Sequence, residues 1–182
     1  PPPEFQDNES GMSRYLTILL LLVSSIFAFA QTPRPATETR IDSLLRQMTV
    51  EEKAGQMTQV TIDVITAGTA AGRAHKLDPK KLADAIQKYH VGSILNVNGE
   101  AYTIDHWHEV LNAIQDETEK SRLKVPVLYG IDSIHGATYT LGAVLFPNAI
   151  ATAATWNPEL ARRAAAVSAY QTRASGIPWT FY

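Results

Sequence analysis

The stretch Val125-Pro126-Val127-Leu128-Tyr129-Gly130-Ile131-Asp132-Ser133-Ile134-His135-Gly136 decides how the rest of the chain is read. Its opening, residues 125–129, is a short apolar run of the kind that forms a buried strand, and Tyr129 reads as core. Gly130 and Gly136 then bracket Asp132, a carboxylate just past the strand end. That is the end at which enzymes with parallel β/α units hold their substrates. A turn-forming Asp bonded to nearby backbone amides fits the same position, so the residues alone leave both roles open for Asp132. Ser133 lacks the partner pattern of a nucleophile and reads as a turn residue. His135 is expected to pack beneath the loop and hydrogen-bond the backbone that carries Asp132.

Downstream, residues 136–155 read as a long irregular stretch punctuated by Gly142 and Pro147. Asn157-Pro158 opens a helix with Leu160, Ala164, Val167 and Gln171 in one stripe and Gly176 as its stop. Residues 177–182 read as a further strand. Upstream, Thr103 caps a helix with Ile104, Trp107, Leu111 and Ile114 at helical spacing, ending near Ser121. Residues 91–97 are a strand candidate broken by Asn96, Asn98 and Gly99. Asp78-Pro79 starts a helix whose face carries Leu82, Ala85, Ile86 and Tyr89 as far as His90. Residues 61–72, rich in Thr, Ala and Gly, fit a strand edge or a loop equally well. Thr49 and Glu52 form a capping box that opens a short helix to about Met57, preceded by helical spacing in Ile41, Leu44, Leu45 and Met48. Helices alternating with short apolar strands predict a parallel α/β architecture.

The chain has 182 residues, 45% hydrophobic and 19% charged, which suits one soluble domain with a core. A formal net charge of −2 without basic clusters argues against nucleic acid or an anionic membrane as partner. With no cysteine, disulfides, thiolate metal sites and thiol catalysis are excluded. Met12, Arg14, an apolar run over residues 16–29 and the small-x-small sequence Ala28-Phe29-Ala30 before Gln31 read as a cleavable export signal over residues 12–30, with an uncleaved membrane anchor as the rival reading. The expected location is therefore periplasmic or secreted, with no membrane association after cleavage. Residues 1–11, upstream of that start, read as a non-native or upstream tail, and 31–39 as a linker into the mature protein.

Other candidates carry bland readings. His106 and His108, with Asp105 and Glu109, resemble a metal cluster, but positions two apart on a helix face different ways, so a solvated face is expected. His75 and His90 are isolated, and Asp63 is given no role. Trp107 lies on an apolar stripe and is expected in the core. Trp156 and Trp179 are expected to pack near strand ends, with Trp179 close to the open mouth. Arg162, Arg163 and Arg173 read as a solvated outer face. No metal and no cofactor is expected.

Several blocks in order resemble glycoside hydrolase family 3. Ile41-Asp42-Ser43-Leu44-Leu45, followed by Gln47-Met48-Thr49 and Glu51-Glu52-Lys53, then Gly55-Gln56-Met57, is similar to the opening of that family's barrel domain. The 125–136 stretch resembles its most recognisable N-terminal motif. Phe146-Pro147-Asn148, Ala151-Thr152-Ala153-Ala154-Thr155-Trp156-Asn157-Pro158 and Gly176-Ile177-Pro178-Trp179-Thr180-Phe181 continue in the family's order. The resemblance covers residues 40–182 and is nearest to secreted bacterial β-glucosidases.

The resemblance implies an incomplete (β/α)8 TIM-type barrel, the first three to four βα units of a fold that needs about 250 residues. It implies the N-terminal fragment of an exported retaining exo-β-glycosidase, most simply a β-glucosidase, acting on an oligosaccharide or β-glucoside in carbohydrate catabolism. A β-xylosidase or N-acetylglucosaminidase specificity lies within the same family. Retaining enzymes use a nucleophile and an acid/base about 5–5.5 Å apart. In the family these come from a later strand and a following domain, so no residue here is assigned either role and this chain alone is expected to be inactive. Asp132 is what carries over, as the residue that binds sugar hydroxyls at the non-reducing end. The alternative reading is a non-catalytic, truncated sugar-binding or interaction module, which would leave strand edges unpaired and apolar surface exposed.

Overall fold

The computed structural model describes residues 36–67, 76–97 and 99–181. The export signal, the tail, most of the linker and His75 lie outside these residues. The chain divides into two compact units, Pro1–Leu44 and Leu45–Tyr182, and the sheet, the core and the candidate site all belong to the second.

Helix α1 spans Ala36–Gln47 and α2 spans Val50–Gln56, leading into strand β1, Gln59–Thr61. A 3₁₀ turn over Ile62–Ile65 follows, then α3, Pro79–Ala83, which widens into a π-helical turn over Asp84–Lys88. Strand β2 is Ser93–Leu95, α4 is Ile104–Thr118 and β3 is Leu128–Ile131. The last elements are α5, Ala149–Ala153, α6, Pro158–Ala174, and β4, Trp179–Thr180. The strands form one parallel sheet in the order β1-β2-β3-β4.

The helix starts are set by local chemistry. Thr49 Oγ1 accepts from the Glu52 amide at 3.2 Å while Glu52 Oε2 accepts from the Thr49 amide at 2.8 Å, closing the capping box. Asp78 Oδ1 accepts from the Lys80 and Lys81 amides, and Pro79 has no amide hydrogen left to satisfy. Thr103 and Asn157 cap α4 and α6 in the same way.

Two stretches differ from the sequence expectation, and the structure describes part of a third that the sequence left open. The ladder of β3 begins only at Leu128, whose amide donates to Gly92 O at 3.0 Å. Pro126 has no amide hydrogen, and Val127 O is taken by Gln115 Nε2 at 2.8 Å, so residues 125–127 approach the sheet without joining it. The 136–155 stretch is not irregular throughout, since Asn148 caps α5 by accepting from the Ala151 amide at 3.0 Å. Pro147 and an Ala/Thr-rich segment without apolar period hide that helix in the sequence. In the undecided 61–72 segment, Thr61 ends β1 and the 3₁₀ turn follows directly.

Alternation along the strands separates two faces. Ile94, Tyr129 and Ile131 point to the helices, where they pack with Leu82, Ile86, Trp107 and Ile114 in the core. Trp107, fully buried, donates its indole N–H to Tyr139 O at 2.9 Å and meets the Tyr129 ring edge-on at 5.5 Å between centroids. On the other face Leu128 remains 51% exposed and Trp179 40% exposed. Gly130 belongs to that open face, and its missing Cβ makes room for the Phe181 ring.

Candidate functional site

The carboxyl-terminal ends of β2 and β3 bring two polar side chains together. Asn96 follows Leu95 and Asp132 follows Ile131; the pairing Leu95↔Gly130 puts Asn96 level with Ile131, and its side chain reaches Asp132 one position on. Asn96 Nδ2 donates to Asp132 Oδ2 at 2.7 Å, and Asn96 Oδ1 accepts from the Asp132 backbone amide at 2.9 Å. Asn96 is itself pinned, since its amide donates to Gly130 O at 2.9 Å and its carbonyl accepts from the Tyr129 hydroxyl at 2.6 Å. Burial pushes the Tyr129 phenol well above its ordinary range, so it stays a donor. Asn96 has φ +52°, a left-handed backbone that Asn tolerates better than most residues. Asp132 is half-buried, and its Oδ1 accepts no hydrogen bond from the described residues. The result is a carboxylate with one oxygen oriented by an uncharged amide and the other accepting no hydrogen bond from the described residues.

The loop beyond Asp132 is fastened to α6. Thr172 Oγ1 donates to Ser133 Oγ at 2.8 Å, Thr140 Oγ1 and Ser175 Oγ share a hydrogen bond of 2.8 Å, and the Val144 amide donates to Gln171 Oε1 at 3.1 Å. Ser133 is therefore the buried turn residue its sequence implied. These contacts also explain α6, whose buried positions are Ser168 and Thr172 rather than the apolar stripe. Leu160 is 45% exposed. A polar row at 168, 171, 172 and 175 has the spacing of one helix face and was the available signal.

His135 does not behave as expected. It is exposed, and its ring bonds none of the described backbone that carries Asp132. Gly136 turns the chain at φ +116° where Val144 O approaches too closely for a Cβ, and His135 is left on the outside of that turn. Only its main chain contributes, with His135 O accepting from the Phe146 amide at 2.7 Å. Its ring borders a cavity of about 180 Å³ shared with Phe146, Pro147 and Thr152. Trp156 is a second correction, since it is 92% exposed at the end of α5 rather than packed. Its φ of +51° turns the chain between α5 and α6 and leaves the indole outside. Trp179 lies edge-on to Phe181 at 4.7 Å, next to Gly130 in the sheet register.

The other candidates separate as their spacing implied. His106 Nδ1 pairs with Glu109 Oε2 at 3.1 Å, while His108 Nε2 bonds Ala174 O at 2.9 Å. Among the described residues no group of three or more His, Asp or Glu side chains is arranged to hold a metal. Arg162 pairs with Glu159 on the exposed face of α6, where Arg163 and Arg173 are also exposed. No described helix is long and apolar enough to cross a membrane.

At the opposite ends of the strands a different carboxylate is held. Glu52 is buried and accepts from Arg122 Nε at 3.0 Å as well as from the Thr49 amide. Arg122 also donates to Gln47 O at 2.8 Å. The hydrogen bond from Arg122, followed by that from the Thr49 backbone, holds the Glu52 carboxyl below its ordinary value.

The model of the glycosyl hydrolase family 3 N-terminal domain matches residues 49–182, which includes β1 through β4 and both carboxylates. The chain belongs to glycosyl hydrolase family 3. A lysosomal beta glucosidase of Dictyostelium discoideum is 39% identical over 155 residues, covering 80% of this chain and 18% of that protein. A periplasmic beta-glucosidase of Salmonella typhimurium is 25% identical over 173 residues, 94% of this chain and 19% of that one. A probable beta-glucosidase C of Aspergillus oryzae is 28% identical over 149 residues, 77% of this chain and 23% of its own length. This family 3 chain thus spans about a fifth of the length of the curated relatives it matches.

Proposed function

We propose that this family 3 chain supplies the sugar-binding carboxylate of an exported, retaining exo-β-glucosidase, and that Asp132 is that carboxylate. An Asp132 already oriented at a strand exit, with Oδ1 unbonded among the described residues, carries the reading. An ionised carboxylate so placed accepts hydrogen bonds from neighbouring hydroxyls of the terminal sugar, each worth about 1.5–3 kcal/mol when charge-assisted. Bonds that tighten as the ring flattens toward the transition state lower the barrier rather than only the dissociation constant. A sequential strand order without reversal supports a barrel that closes around this position. The relatives named as lysosomal and periplasmic β-glucosidases support both the substrate class and export.

Retaining hydrolysis needs two further carboxyl groups, a nucleophile and an acid/base. We assign neither to a described residue, so the 182-residue chain by itself is expected to turn over no glucoside. Asp132→Ala in the complete enzyme tests the main claim. It is expected to lower kcat/KM on an aryl β-glucoside by roughly 100-fold, about 3 kcal/mol of transition-state stabilisation. Near-normal turnover by a folded variant would remove Asp132 from the sugar site.

A further inference from the structure

We propose that Asn96 is the positioning residue for Asp132, acting on substrate only through that carboxylate; the proposal rests on the sugar-binding reading of Asp132. Asn96 meets Asp132 at two points, one on the side-chain oxygen and one on the backbone amide, and together these fix both the carboxylate torsion and the height of the loop. Its own position is fixed by Gly130 O and the Tyr129 hydroxyl, both belonging to the strand that ends in Asp132. The arrangement is closed across 36 residues of sequence, and each bond is to a residue of β3 or to Asp132, which follows it directly.

The choice of an uncharged amide has a chemical consequence. A lysine or arginine at this place would take the carboxylate as its own partner and compete with sugar hydroxyls. A carboxylate would repel it. The Asn amide donates one N–H to Oδ2, leaves the negative charge on Asp132 and leaves Oδ1 open.

A residue kept only for its left-handed backbone would be served equally well by Gly or Asp, both of which tolerate φ near +52°. That separates the two roles. In the complete enzyme, Asn96→Gly is expected to keep the melting temperature close to that of the parent and to lower kcat/KM about 10-fold, mostly in kcat. Asn96→Asp keeps an acceptor for the Asp132 amide, loses the donor and adds a like charge, so it is expected to lose more than Asn96→Gly. In an Asp132→Ala background, Asn96→Gly is expected to cost nothing further, because its effect passes through Asp132. Parent-like kinetics for both Asn96 variants, or a full additional loss in the Asp132→Ala background, would overturn the positioning role. Near-normal turnover by Asp132→Ala alone would instead overturn the sugar-binding reading, so the two failures are told apart.

Discussion

Glu52 and Asp132 are both carboxylates fixed at the ends of the same parallel strands, and they are fixed in opposite ways. Glu52, at the entry side, has its charge met by the Arg122 guanidinium and by the backbone amide of its own capping box. Both of its oxygens are engaged, and the group joins α2 to the segment that leads into β3. Asp132, at the exit side, is held by a neutral amide and keeps one oxygen without a partner among the described residues. A saturated charge contributes to folding; an oriented but unsaturated one is available for binding. This matches the division in β/α enzymes between a stabilising end and a functional end of the strands.

The comparison can be broken at the layer both ends share. Trp107→Ala would empty a fully buried site against Tyr129 and Tyr102, and a cost of roughly 3–5 kcal/mol is expected from the denaturation midpoint. Both ends should then fail together. Asp132→Ala comes next: the roughly 100-fold loss of kcat/KM should leave the melting temperature almost untouched. A large drop in stability would mean that Asp132 belongs with Glu52 as a structural group.

Acid unfolding sharpens the contrast from the other end. The folded Glu52 carboxyl lies below its ordinary 4.5, so its contribution is fully present above that value and fades as pH falls through the folded value. Glu52→Gln should therefore lower the melting temperature at neutral pH and flatten its decline below pH 4.5, with kcat/KM of the folded enzyme unchanged. An unaltered acid limb in a thermal melt series would contradict the assignment. The smallest effect is expected at Arg162, whose ion pair with Glu159 is exposed on both sides. Arg162→Ala should shift neither melting temperature nor turnover measurably.

Much of this was legible in the chain because it is local. Capping at Thr49, Asp78, Thr103 and Asn157 involves residues three positions apart, and the strand-then-Asp pattern around Asp132 needs only its neighbours. Asn96 was not legible as part of the site. In sequence it reads as a residue that breaks a strand, and its meaning depends on the register that sets Leu95 against Gly130. His135 was misplaced for a related reason, because the path of its loop is decided by Val144 and Leu145 meeting Gly136 from farther along the chain. Helix α6 misled in a third way, since Leu160 and Val167 of its apolar stripe stay exposed while hydroxyl and amide groups face the loop.

The sequence by itself determined the alternation of helix and strand, the caps, the core role of Trp107 and Tyr129, and the family to which the ordered blocks belong. Those properties follow from side-chain periodicity and from contacts within one turn of chain. Tertiary structure decided which oxygen of Asp132 is bonded among the described residues, that an amide 36 residues away holds it, and that Glu52 is paired with Arg122. Those properties depend on strand pairing, which brings distant residues to one strand end and fixes their side chains within a hydrogen bond of each other.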